Sequence, residues 1–325
     1  MNWKRRAAPA AVAIWILAVS ASVAFGQTFP TKSVRLIVPA APGSSTDMLA
    51  RLIGPKLTEK WQQSIIIDNR PGAGGTVGAE VAARATPDGY TVVLVNAGFA
   101  VSAALYKKLS YDSVRDFAPV GAVATQPLVL VVNPAVPVTS VKELVALAKS
   151  KPNGLTLGST GNGSIAHLVA ELFMWKTKIR MLHVPYKGAS PAVTALLSGE
   201  IQVLFPGIVP VLPHIQAGRL RALAVSTARR AAALPEIPSM IEAGVPGYDE
   251  SNWQGLLAPA GTPPEIIKEF NTDVAAVLRS PDIRKTLAAA GTDTLTSEPA
   301  SFGKFLVAEI AKWRKLVKDS GAKVD

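Results

Sequence analysis

The residues with the most to offer chemically fall in one stretch, Leu155-Thr156-Leu157-Gly158-Ser159-Thr160-Gly161-Asn162-Gly163-Ser164. A strand end runs into a loop of glycines and hydroxyls, and from there Ile165, Leu168, Val169, Leu172 and Phe173 recur at helical spacing. Strand, glycine-rich turn and helix N-terminus leave bare N–H groups at the positive end of a helix dipole, a seat for an anion. A second arrangement of this kind precedes it. Val34–Val38 reads as a strand, Pro39-Ala40-Ala41-Pro42-Gly43 as a turn, and Ser44-Ser45-Thr46-Asp47 as a capping box ahead of Leu49, Leu52, Ile53 and Leu57. Asp47 is expected to cap its own helix. The chemistry on offer is recognition of a small anion by neutral donors.

Catalytic equipment is missing from the pattern. His167, His183 and His214 share no ligand spacing, so a metal site is not expected. There is no cysteine nucleophile, no G-x-S-x-G elbow and no Ser/His/acid order. Gly72-Ala73-Gly74-Gly75-Thr76-Val77 fails G-x-G-x-x-G at Val77, and no Gly-Lys-Ser/Thr follows. Gly161-Asn162-Gly163-Ser164-Ile165-Ala166 fits the looser G-x-G-x-x-A, but the segment about 20 residues on, Met181 to Val184, offers no acid for a ribose. Tyr186-Lys187, at the end of a strand, could add a hydroxyl and a cation, or be no more than a solvated pair. No cofactor is implied.

The elements that must position these groups alternate. Strands are expected at 34–38, 64–67, 90–95, 127–132, 155–157, 181–184, 201–205, 220–225 and 255–258, with helices at about 77–85, 140–149, 264–279 and 300–318 among others. Alternation of this kind implies an α/β fold of mainly parallel sheets with helices on both faces. In such sheets ligands sit beyond the carboxyl ends of the strands, where the loops after the first three strands lie. The almost unbroken apolar run Pro127–Val132 suits a strand buried on both faces and is taken as the first crossing into a second lobe.

The ends and the composition narrow the setting. Lys4, Arg5 and Arg6 precede an apolar run from about Ala10 to Ala24, and Ala24-Phe25-Gly26 suits cleavage near Gly26/Gln27, so residues 1–26 read as an export signal. The absence of cysteine excludes disulfides and a lipobox. Losing Lys4, Arg5 and Arg6 takes the net charge from +11 to +8. That excess is spread thinly, without a basic run interleaved with aromatics, so nucleic acid is not an expected partner, while weak steering of small anions is. About 300 remaining residues can bury two cores.

Several stretches resemble one family, the solute receptors of tripartite tricarboxylate transporters, or Bug proteins. They are Val38-Pro39 through Pro42-Gly43 with Asp47, Asn69-Arg70-Pro71-Gly72-Ala73-Gly74-Gly75, and Pro87-Asp88-Gly89-Tyr90-Thr91. His183-Val184-Pro185-Tyr186-Lys187-Gly188, Leu223-Ala224-Val225-Ser226 and Ala258-Pro259-Ala260-Gly261-Thr262-Pro263 continue the series in order. The resemblance implies a two-lobed periplasmic binding-protein fold of type II kind, closing on a small organic carboxylate and handing it to integral-membrane transporter subunits. It implies a monomer without enzymatic activity. Lobe 1 is expected over 27–124, lobe 2 over 125–224, with 225–325 returning to lobe 1. Carried over by motif, the ligand residues are Pro42, Gly43, Ser44, Asp47, Asn96 and Gly98 from the first lobe and Ser159, Thr160, Gly161, Ser164, Tyr186 and Lys187 from the second.

Three positions depart from the family pattern. Ser44 replaces a frequent second glycine, Ala97-Gly98-Phe99 replaces a hydroxyl-rich run, and Pro206 stands where many relatives carry an acid. Without that acid an ammonium group lacks a partner, so plain, hydroxy or aromatic carboxylates are expected over amino acids. A ligand sensor that docks on a signalling partner is the alternative from another class, and an exported hydrolase a third.

Overall fold

The structure, a computed structural model, describes residues 29–320; the expected export signal lies outside them. The segment Val34–Val38, with β-branched Val34, Ile37 and Val38, forms β1, and α1 (Ser45–Trp61) follows the Pro42-Gly43 turn. Then come β2 (Ile65–Asn69), a 3₁₀ turn at Ala73–Gly75, α2 (Thr76–Ala83), β3 (Thr91–Asn96), α3 (Gly98–Leu105), β4 (Phe117–Pro127) and β5 (Val129–Val132). The chain continues through α4 (Val141–Ser150), β6 (Thr156–Ser159), α5 (Ile165–Thr177), β7 (Leu182–Pro185), α6 (Ala189–Ser198), β8 (Val203–Leu204), α7 (Leu212–Gln216) and β9 (Arg221–Val225). It closes with β10 (Ser251–Pro259), α8 (Pro264–Arg279), α9 (Pro281–Ala289), β11 (Asp293–Thr294) and α10 (Pro299–Ser320).

Two sheets result, ordered β11-β4-β10-β3-β1-β2 and β7-β6-β8-β5-β9. The pairs around β1 and around β6 are parallel, as the alternating pattern requires. Where β10 and β4 join the first sheet, and β5 the second, pairing turns antiparallel. Both sheets are therefore mixed, because the strands that cross between lobes run against the βαβ units they complete. The fold is the expected two-lobed α/β architecture.

The crossings are pinned together. Leu128 N–H donates to the buried Ser226 Oγ (2.9 Å), which itself donates to the Glu250 carbonyl (2.6 Å). One hydroxyl thus ties the chain entering the second lobe to the chain returning. Leu36, Val38, Leu94 and Leu256 pack under α1 and α8 in one core, and Val129, Val131, Leu196 and Leu204 build another. A third core runs through both lobes, from Val95 and Phe99 by way of Leu130 and Leu157 to Phe173 of α5 and Trp313 of α10. Among the described residues no helix is long and apolar enough to cross a membrane.

Candidate functional site

The first-lobe loop is built around a buried acid. Ser44 is the N-cap of α1, its Oγ accepting the Asp47 N–H at 3.2 Å. The Asp47 carboxylate does not cap that helix. It turns back to accept from Gly43 N–H (2.8 Å), Arg51 Nε (3.0 Å) and Asn69 Nδ2 (2.9 Å). Burial alone would raise this carboxyl, but Arg51, Gly43 and Asn69 outweigh it and hold it below the usual carboxylate range. Asp47 is thus saturated by its own lobe and fixes the turn; Pro42 and Gly43 lie exposed on its rim.

With Ser44 serving the third amide of α1, the N–H groups of Ser45 and Thr46 are those left without an intrahelical partner. Thr46 Oγ1 receives Asn96 Nδ2 (3.2 Å), and Asn96 Oδ1 accepts Gly98 N–H (2.9 Å). Asn96 therefore joins the start of α1 to the start of α3, which accounts for an Asn at the end of β3.

The second-lobe loop is braced by two stacked imidazoles. His167 and His183 lie 4.1 Å apart between ring centroids and within 4° of parallel. His183 Nε2 is 2.7 Å from Ser159 Oγ, which also accepts Gly161 N–H at 3.2 Å. His167 Nδ1 accepts Gly163 N–H at 3.3 Å, so its proton sits on Nε2, facing Glu171 at 3.6 Å. Burial, and then His167 beside it, push His183 down to about 4. Ser164 is the N-cap of α5, accepting the His167 N–H at 3.3 Å. Again the free helical amides are the first two, Ile165 and Ala166. Thr160 is half-buried on the same turn.

Two of the expected groups do not join this cluster. The Tyr186 hydroxyl donates to Glu200 (2.7 Å), drawn toward the amino end of the second sheet where Glu200 O meets Thr156; burial, and then Glu200, push that phenol up to about 12. Lys187 is exposed and forms no ion pair among the described residues. The N–H groups of Gly43 and Gly161, expected as donors, are engaged within their own turns.

The two loops meet. The Ala73–Gly75 turn, lodged between Ser102 of α3 and the Asn162-Gly163 backbone, links the contact chain Thr46–Asn96–Gly98 to the head of α5. Beneath it is a void of about 10 Å³ lined by Pro39, Gly74, Asn96, Ser102 and Tyr111, room for about one water. A larger depression of about 310 Å³ lies at the other edge of the second sheet, among Asn133, Val136, Leu147, Lys151, Leu155 and Gln202. Its amides are already paired, Asn133 to Leu196 O and Gln202 to Thr156, so size there is not matched by convergent donors.

Residues missed by the sequence reading border the loops. Gln126, Asn252 and Gln254 are all buried, and Asn252 Nδ2 reaches Ser45 Oγ at 3.5 Å. No three His, Cys, Asp or Glu side chains among the described residues come together as metal ligands would.

The profile of the tripartite tricarboxylate transporter family receptor matches residues 49–322. The chain belongs to this family. It is 35% identical to protein BugT of Bordetella pertussis over the full length of both chains. Among solved structures, Rpa4515 of R. palustris with adipate shares 39% identity at a TM-score of 0.86, covering 91% of this chain and 100% of that one. MatC of Rhodopseudomonas palustris with bound malate shares 31% at 0.83, covering 89% and 100%. The family and these neighbours are solute-binding receptors rather than enzymes. Another such structure, at 30% identity and a TM-score of 0.84 over 91% and 99% of the two chains, is of the periplasmic binding protein BugD.

Proposed function

We propose that this receptor is exported to the periplasm, captures a small organic carboxylate between its two lobes and delivers it to tripartite tricarboxylate-type membrane subunits. The observation that carries the reading is the pair of capped helix heads, α1 and α5, joined by one chain of contacts. Each has its third amide satisfied by a serine N-cap, leaving the first two N–H groups for a ligand. Two dipoles of like sense favour an anion, and the cluster supplies no counter-charge, since Asp47 and Arg51 neutralise one another.

The adipate and malate held by relatives at 39% and 31% identity support an organic acid. Pro206, fully buried behind β8, supplies no acid for an ammonium group, which favours plain or hydroxy acids over amino acids.

A thermal-shift screen of mono-, di-, tri- and aromatic carboxylates, with aspartate and glutamate beside them, tests this. A native-state ligand at a hundred times its Kd adds about 2.7 kcal/mol. At least one non-amino carboxylate is expected to raise Tm more than either amino acid does. A panel in which no carboxylate moves Tm overturns the reading.

A further inference from the structure

Four side-chain amides stand in a row across the carboxyl edge of the first sheet. Gln254 of β10 is opposite Asn96 of β3, and Asn252 is opposite Gln126 of β4. Alternation along β3 and β10 puts all four on the face that Leu94 and Leu256 share with α1. Contacts agree: Asn96 meets Thr46 and Asn252 meets Ser45, both in the first turn of α1, while Trp253 faces the opposite way, to Glu309 of α10. From the second lobe Gly207 closes over the Gln126 amide, where a Cβ would stand 3.1 Å from Oε1.

Asn96 is satisfied; the other three are not. Neither amide atom of Gln126 has a partner, nor do Asn252 Oδ1 and Gln254 Oε1, although these side chains are 0%, 6% and 1% exposed. Buried polar atoms without partners are rare and costly, and a run of them on neighbouring strands needs an explanation. Apolar side chains would complete this core without that cost, as Leu256 and Ala258 do further along the same face.

We infer that Gln126, Asn252 and Gln254 form the specificity-determining floor of the cleft and read an uncharged polar substituent, a hydroxyl, on a carboxylate whose acid group sits at the helix heads. The inference rests on the carboxylate reading above. An amide can present its oxygen or its NH₂ by rotating half a turn, and a hydroxyl both donates and accepts, so the two match in either sense.

The test is calorimetry on matched acids that differ by one hydroxyl: malate and succinate, 3-hydroxybutyrate and butyrate, 4-hydroxybenzoate and benzoate. In the wild-type chain the hydroxy member of the best-bound pair is expected to bind at least about tenfold more tightly. Gln254→Met and Gln126→Met, which keep side-chain length, should bring that ratio down to about twofold while leaving the Kd of the deoxy acid within about threefold. Equal affinity within every wild-type pair overturns the role of the amide floor and leaves the carboxylate reading standing. So does a parallel loss of both members in folded variants. Failure of these six and of every acid in the thermal-shift panel to bind overturns the carboxylate reading itself. Should a variant not fold, the side-chain NH₂ resonances of Gln126, Asn252 and Gln254 in the wild type decide. They must shift with the hydroxy acid and not with its partner.

Discussion

Gly74 and Gly163 meet across the lobes: a Cβ on Gly74 would lie 3.3 Å from the Gly163 carbonyl oxygen and 3.2 Å from Ser102 Oγ. The contact sets how far the first-lobe turn can approach the head of α5, and so how tightly the pair of helix heads can enclose a ligand. A ligand gripped by both lobes favours the arrangement in which both touch it, so this approach is coupled to affinity.

Gly74→Val should therefore weaken binding of a selected carboxylate by at least about tenfold, with a stability loss of about 1–2 kcal/mol from its φ of +67°. Gly218 has the same φ and open space around it, so Gly218→Ala should cost stability alone. Calorimetry and denaturant midpoints on both variants separate the two effects. Equal affinities would remove the inter-lobe contact from the account.

Asp47→Asn should destabilise the protein by about 1–3 kcal/mol at neutral pH, because Gly43 and Arg51 lose the charge on their buried acceptor. The folded carboxyl lies below its ordinary value of 3.8. Its contribution is therefore present above that value and lost as pH falls through the folded one. Urea midpoints should show the deficit at pH 7 and a smaller one near pH 3.

His183 carries the opposite charge change but the same direction in pH. Its folded imidazole titrates near 4 against an ordinary 6.5, so the unfolded chain takes up the proton first as pH drops. Stability from this group is complete above 6.5 and declines toward 4, on the order of 3 kcal/mol at most. His183→Gln should flatten that part of the stability profile relative to wild type. Parallel profiles across the interval would contradict the assignment.

Ser164→Ala should cost about 1 kcal/mol of stability by removing the N-cap of α5. Ser164→Trp should abolish carboxylate binding while circular dichroism stays native, since the residue is only half-buried at the loop.

Much of the scaffold is legible because local signals agree with the final fold. The serine N-caps at Ser44 and Ser140 start α1 and α4, and the helix expected over 264–279 is α8, Pro264–Arg279. The misses have local causes. The segment Asn96-Ala97-Gly98-Phe99 reads as a turn, yet α3 begins at Gly98 without a side-chain cap, held by Asn96 and by burial. The first part of β4, with its small residues Gly121, Ala122 and Ala124, lacks a strand-like pattern and is fixed by pairing with β10.

At the site, the turns and their serine caps are visible in the chain, but the partners that occupy their atoms are not. That Asp47 faces Gly43, Arg51 and Asn69, and Tyr186 faces Glu200, depends on side chains brought from other elements. The amide row is hidden more deeply. Gln126 and Asn252 are far apart in sequence and acquire a common face only through the register of β4 against β10.

The most direct test of the central claim is backbone amide NMR of the labelled protein, titrated with the carboxylate that the thermal screen selects. Ser45, Thr46, Ile165 and Ala166 should shift together, saturating at one ligand concentration, because both helix heads hold the same acid group. Shifts confined to one lobe, or centred on Lys151 and Gln202 at the far edge of the second sheet, would contradict it.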